Sequence, residues 1–356
     1  MGRVVLLDAQ KALPVSFSGA LMETLETNGW RVCLARQATD LAAGDTLLVL
    51  GIADWAAVGK PFFSRARELG IQRILWSCEP LLPPDLPSSR LQNWFLHARG
   101  VDYASRAQRM QRLFDRFAYY GFAIQSWSLP WNKRRDFLPR QFSYAAKESR
   151  RLLGFWRAGL VDTLFVSLEP RQTFLAGHGV PSLFVPVGYH PDWGRLLEET
   201  ERDIDVVFLG NITRRRRALL QDMEQALEKA GFKLKVVNQD CYGDVRTQLL
   251  NRSKILLNLN TFPWESPGMR MLMAMSCKAM VVSEHAENTA PYIEGTHFRM
   301  AARNELVDLV VSCLKDEAGR LGIADQAYRY VTEENTLANV MRMALESPSG
   351  AARRAI

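Results

Sequence analysis

The feature that most constrains this chain is an alternation of short apolar runs with amphipathic helical runs, which occurs twice. In the first half, Arg3–Asp8, Trp30–Ala35, Thr46–Leu50 and Gln72–Ser77 read as short strands. Val15–Asn28 and Trp55–Leu69 have helical spacing between them. The pattern resumes with Thr163–Ser167, Arg171–Gly177 and Ser182–Val185 as strand, helix and strand. Apolar strands separated by helices require a parallel sheet covered on both faces.

A second alternation begins after Pro186-Val187-Gly188-Tyr189-His190-Pro191, which breaks the periodicity. Ile204–Leu209, Phe232–Val237, Ile255–Leu259 and Ala279–Ser283 read as strands, and Arg214–Ala230, Val245–Asn251 and Met269–Ser276 as helices. Helices dominate from Glu305. The expected organisation is therefore two Rossmann-like domains, 1–190 and 203–334, with a C-terminal helix and tail over 335–356 returning to the first domain. Open parallel sheets bind ligands beyond the carboxyl ends of their strands, so two such edges facing each other would form one central cleft. Residues of about 90–157, rich in Arg, Phe, Tyr and Trp, read as a helical, aromatic insertion in the first domain. Its packing on the sheet and an acceptor- or membrane-facing surface are both compatible with that composition.

Five scattered cysteines, with no Cys-x-x-Cys pair and no histidine at zinc spacing, suit buried thiols in a reducing compartment. No apolar run spans a bilayer and the start lacks a signal-peptide layout, so a cytoplasmic protein is expected. The net charge of +7 favours polyanions, including nucleotide diphosphates and the inner face of an anionic membrane. No helix-turn-helix, RNA-recognition or zinc signature accompanies it, so nucleic acid is not expected as a partner.

Three places carry candidate chemistry. At Asp205–Thr213 a strand ends at Gly210-Asn211 and a helix opens on Arg214, with Thr213 as its cap. Free N–H groups there make an anion site, and Gly210 lets a phosphate approach the backbone. Of four consecutive arginines, Arg214–Arg217, the first is expected to reach inward, since side chains about 100° apart cannot all do so. The second place runs from Ser253-Lys254 through a Pro/Gly-rich loop carrying Glu265 to a helix opening near Gly268, with Arg270 in its first turn. A strand and the pair Glu284-His285 follow. The third is the edge of the first sheet, where Asp8, Asp54, Glu79 and Glu169 lie at or just after strand ends. One of these would be the base if a hydroxyl must be deprotonated.

The segment from about Val185 to Thr336 resembles the donor domain of the spore-maturation (CgeB-like) group of GT-B glycosyltransferases, relatives of the retaining superfamily with a Glu-x7-Glu motif. The resemblance rests on the order of Val187-Gly188-Tyr189, Phe208-Leu209-Gly210, Ser253-Lys254-Ile255 through Asn258, Arg270, Ala274-Met275-Ser276-Cys277, Pro291-Tyr292-Ile293-Glu294-Gly295 and Asn304-Glu305-Leu306. It implies a GT-B fold and transfer of a sugar from a nucleotide-diphosphate sugar to a glycan, lipid or other hydroxyl acceptor. No metal or resident cofactor is implied. Glu265, Glu79 and Asp8 become catalytic candidates; Gly210, Asn211, Arg214, Lys254, Arg270, Glu284 and His285 become donor-binding ones. Glu265 matches the first Glu of the motif, which faces the donor sugar. The second position, which holds ribose hydroxyls in that superfamily, is Met273 here, and the following Gly is replaced by Lys278. A non-catalytic sugar-nucleotide-binding partner and a GT-B-type epimerase remain the alternatives.

Overall fold

The computed structural model describes residues 3–8, 17–51, 55–84, 96, 139–260 and 268–346. Among the described residues the chain divides into two compact units, one of the residues up to Val185 together with 344–346, the other of Pro186–Met343. The aromatic insertion falls mostly outside the described residues, as do Asp54 and Glu265.

The first unit contains β1 (Arg3–Asp8), α1 (Phe17–Thr27), β2 (Arg31–Leu34), β3 (Thr46–Leu50), α2 (Trp55–Glu68), β4 (Gln72–Ser77), α3 (Pro139–Arg157), β5 (Thr163–Val166), α4 (Glu169–Gly177) and β6 (Ser182–Phe184). Its six strands are parallel and ordered β2-β1-β3-β4-β5-β6. Val4–Leu7 and Leu47–Leu50 are buried without alternation. That is the pattern expected when helices cover both faces of a sheet. Strand β4 is anchored by Trp76, whose Nε1 donates to Val185 O at 3.2 Å.

The second unit contains β7 (Ile204–Leu209), α5 (Arg214–Lys229), β8 (Leu234–Val237), α6 (Gly243–Asn251), β9 (Ser253–Asn258), α7 (Gly268–Met275), β10 (Met280–Glu284), β11 (Arg299–Ala301), α8 (Leu306–Lys315) and α9 (Glu317–Arg329). A π-helical turn, Tyr330–Glu334, leads to α10 (Leu337–Glu346). The strands are again parallel, ordered β11-β10-β9-β7-β8. Strand β11 was not expected; three residues are too few to show a period. The core of this unit joins Val206 and Phe208 of β7, Ile255 and Leu257 of β9, and Val282 of β10 to Leu220, Met223 and Leu227 of α5. Burying each such side chain contributes roughly 1.5–3 kcal/mol before the entropy of ordering is counted.

The two sheets share one winding plan. In the first, β1 and β3 are neighbours and the chain leaves in opposite directions, to β2 and to β4. In the second, β7 and β9 have the same relation, with β8 on one side and β10 on the other. Such a reversal leaves a crevice at the carboxyl ends of the two central strands, where doubly wound sheets bind ligands.

The second unit is closed on itself near its ends. Tyr189 N–H donates to Asn335 O at 2.7 Å, and Leu337 N–H donates to Tyr189 O at 2.8 Å. The approach is so close that a Cβ at Gly188 would lie 2.6 Å from both Leu337 N and Thr336 O. Both contacts are to backbone, which cannot swing aside. Gly188 therefore owes its lack of a side chain to this packing.

Candidate functional site

At the reversal in the second sheet, β7 runs out at Leu209 and Gly210, and β9 at Asn258. Gly210 has φ +140°, a region that side chains with a Cβ rarely adopt. Its N–H donates to Val237 O at 3.0 Å, which fixes the turn. Helix α5 opens four residues later, after its cap Thr213. Thr213 Oγ1 accepts from Arg216 N–H at 3.2 Å, as a helix cap should.

Arg270, in the first turn of α7, reaches back to this turn. Its Nη1 donates to Asn258 Oδ1 at 3.1 Å and Leu259 O at 3.2 Å. Its Cζ lies over the Phe208 ring, 5.5 Å from the centroid. Neither described hydrogen-bond partner carries a formal charge. The Nε and Nη2 groups face Gly210: a Cβ there would stand 2.8 Å from Nη2, 3.4 Å from Cζ and 3.6 Å from Nε. Burial, and then the neighbouring Arg216, push the guanidinium down to about 9. It stays protonated at neutral pH, at a cost that a bound anion would relieve.

Two more arginines belong to the same edge. Arg216 is buried, with Nη1 on Asn211 O at 2.9 Å and Nη2 on Leu259 O at 2.6 Å. Its Cζ is 5.7 Å from the centroid of the same Phe208 ring. Burial first, then Arg215, push it down to about 10, against the pull of Glu284. Arg215 pairs with Glu284 through both its Nη groups and also donates to Asn260 O. Glu284 Oε2 accepts from Asn260 N–H at 3.2 Å as well, so both of its oxygens are engaged. Leu259 O thus receives one guanidinium from α5 and one from α7, and it ties the two helix N-termini to the end of β9.

The expected donor residues do not all gather here. Gly210 and Arg270 meet. Asn211 is exposed and takes part through its carbonyl. Arg214 opens α5, but its side chain lies outside the description; the arginines seen at the edge are Arg215 and Arg216. Glu284 sits at the edge but is engaged by Arg215 and Asn260. His285 is exposed, and its N–H donates to Ala301 O at 2.8 Å. Lys254 is not brought to this edge. It is the second residue of β9, at the amino end, where its Nζ pairs with Asp205 Oδ1 at 2.7 Å. Glu265 lies outside the described residues. Glu294, a conceivable partner for Arg270, pairs with Arg299 instead. Met273 is half-buried on α7.

In the first unit, Asp8 ends β1 opposite Leu50, and its side chain lies outside the description. Glu79 follows β4 and accepts a hydrogen bond from the Tyr144 hydroxyl. Behind it, Glu148 on α3 is buried and takes Arg151 Nη1 at 2.8 Å on Oε1. Burial, outweighing Arg151, pushes the Glu148 carboxyl up. Sequence reasoning missed Tyr144 and Glu148, because both lie far along the chain in a helix with no strand-end signal.

Residues 196–346, under half of the chain, match the model of a family described as glycosyl transferase-like. No curated protein sequence matches significantly. Solved structures match along nearly the whole length. Anabaena HepE, determined with UDP and glucose, is 13% identical over 98% of this chain and 99% of its own, with a TM-score of 0.51. Sucrose-phosphate synthase of Thermosynechococcus elongatus is 10% identical over 98% and 99%, at 0.53. A DNA-modifying β-glucosyltransferase is 10% identical over 98% and 99%, at 0.52.

The fold is that of the GT-B glycosyltransferases.

The GT-B plan accounts for the two parallel-sheet, Rossmann-like units and for the repeated winding order. At these identities it carries the architecture and not the substrates. No helix among the described residues is long and apolar enough to cross a membrane.

Proposed function

We propose that this protein is a glycosyltransferase that binds a nucleotide-diphosphate sugar at the carboxyl edge of its second unit and passes the sugar to a hydroxyl acceptor. One observation carries the reading. The Nε–Nη2 edge of Arg270 is turned toward the position left open by Gly210, at a sheet reversal flanked by two helix N-termini. A planar guanidinium edge gives two parallel hydrogen bonds to phosphate oxygens, and helix N-termini favour the same charge.

The chemistry follows from where charge appears. As the bond from the anomeric carbon to the diphosphate breaks, negative charge grows on the leaving oxygen. Arg270 would meet it in place, with Arg216 close behind the same aromatic ring. Fixed cations of this kind stabilise the transition state without reorganising, so the reaction we propose is metal-independent. Glu265 is assigned to the transferred sugar, on the resemblance to the CgeB-like group. Glu79 and Asp8 are assigned to the acceptor side. The excess of basic residues supports working at the inner face of an anionic membrane.

A second reading has a specific support. Met273 stands where that resemblance places an acid for the ribose, so a binding protein without turnover would keep the same anion site. Incubating the pure protein with UDP-glucose and other nucleotide sugars, with and without EDTA, separates the two. Slow release of free sugar that survives EDTA supports the enzyme. Binding without release, across the donors tried, supports the binding protein.

A further inference from the structure

Arg270 is held by three groups, and none of them carries a formal charge. Its Nη1 donates to Asn258 Oδ1 at 3.1 Å and to Leu259 O at 3.2 Å, and its Cζ lies 5.5 Å from the centroid of the Phe208 ring. Among the described residues, no carboxylate pairs with it, and the charged neighbour that acts on it is Arg216 of α5, of like sign. Glu284, the acid at this edge, is occupied by Arg215 and by Asn260 N–H.

Of the three holds, Asn258 is the one that could have been an acid. It ends β9, is fully buried and stands beside Ser283 in the register of β9 and β10. The Ser283 hydroxyl donates to Glu284 O at 2.8 Å, so its oxygen is left to accept from Asn258 Nδ2 at 2.9 Å. That fixes the amide, with Nδ2 toward Ser283 and Oδ1 toward Arg270. An aspartate of nearly the same shape would accept the same bond from Nη1 and would hold the guanidinium more tightly, through a charge-assisted bond. Burial already weighs against the charge of Arg270. If holding this cation in place were the whole task, an acid would do it better, since buried charges are normally paired. The amide instead leaves the charge uncancelled on the Nε–Nη2 edge that faces Gly210.

We propose that Asn258 is the positioning residue of the anion site: it clamps Nη1 with a neutral group, so that both the orientation and the full charge of Arg270 are kept for a diphosphate. This assignment rests on the donor-site reading and adds to it that residue 258 must be neutral.

The test is calorimetric titration of pyrophosphate and UDP into the parent, Asn258→Asp and Asn258→Ser, with circular dichroism and thermal melts to confirm folding. At neutral pH, Asn258→Asp should bind both ligands about tenfold to a hundredfold more weakly, the weight of charge-assisted bonds. A purely structural role predicts no loss, because the aspartate keeps the bond to Nη1; affinity equal to the parent's overturns the proposal. The remaining affinity of Asn258→Asp for pyrophosphate, corrected for the ligand's own charge, should hold steady as pH passes about 9, where the parent's weakens, because a paired guanidinium keeps its proton. A pH profile like the parent's in this variant also overturns the proposal. Asn258→Ser, neutral and one bond shorter, gives up the hold on Nη1 and should weaken both ligands about threefold to tenfold. It decides the matter if Asn258→Asp does not fold, and unchanged affinity in it overturns the proposal. A parent that binds neither ligand removes the donor-site reading itself, and this assignment with it.

Discussion

Gly210 keeps open the edge of Arg270 that faces it: a Cβ at 210 would stand 2.8 Å from Arg270 Nη2. The glycine matters in two ways, through its φ of +140° and through the space it leaves at the guanidinium. Gly210→Ala should therefore lower pyrophosphate affinity by tenfold or more while leaving every charge in place, since a blocked fork loses charge-assisted bonds of about 1.5–3 kcal/mol. Stability should fall as well, by about 1–3 kcal/mol for the strained backbone. Calorimetry and thermal melts read the two effects. An alanine variant that binds pyrophosphate as the parent does would show that the anion does not use this edge.

The same arginines set a pH dependence. Burial holds Arg270 at about 9 and Arg216 at about 10, well below the usual guanidinium range. An anion binds the protonated forms, so affinity should be flat between neutral pH and about 8 and should weaken as pH rises through these values. Titrations with pyrophosphate, whose own charge is followed in parallel, give the profile. Affinity that holds steady to pH 10 would mean that neither group titrates there or that neither meets the ligand.

Much of the fold was legible because it depends on local pattern. The apolar strands of both units show as unbroken runs such as Val4–Leu7 and Ile255–Leu257, because burial on two faces removes any alternation. Strand β11 was hidden by its brevity. At the site, Gly210 and Arg270 were readable from a strand ending in glycine and an arginine opening a helix. The choice within Arg214–Arg217 was not. With four identical residues, what decides is where Phe208, Leu259 and Glu284 stand, and these come from β7, from the residue after β9 and from β10. Lys254 shows the converse: a cation beside a motif was placed by its strand register at the far end of the sheet, against Asp205. Asn260 shows the same limit, since its buried amide nitrogen is held by two carbonyls, of Glu284 at the end of β10 and of the residue after it.

His297 supplies a stability prediction away from the site. It is buried, stacked on Tyr330 at 4.4 Å between centroids, and its Nδ1 accepts from Ile293 N–H at 3.1 Å. Burial lowers its pKa, with Glu334 acting weakly the other way. The neutral ring is thus the folded form. Its contribution is present above the unfolded value of about 6.5 and is lost as pH falls through the lower folded value. Urea denaturation of the parent should show stability falling as pH drops below about 6.5, and His297→Phe should show a shallower fall. Equal slopes in the two proteins would leave His297 without a part in the acid response.

Arg270 is the residue on which the proposed donor site depends most directly. Calorimetric titration of UDP into Arg270→Ala, with circular dichroism to confirm that the variant is folded, measures its weight. Loss of the charged fork should weaken binding by about tenfold to a hundredfold, in line with charge-assisted hydrogen bonds. A folded Arg270→Ala protein that binds UDP as tightly as the parent would contradict the account and place the diphosphate elsewhere.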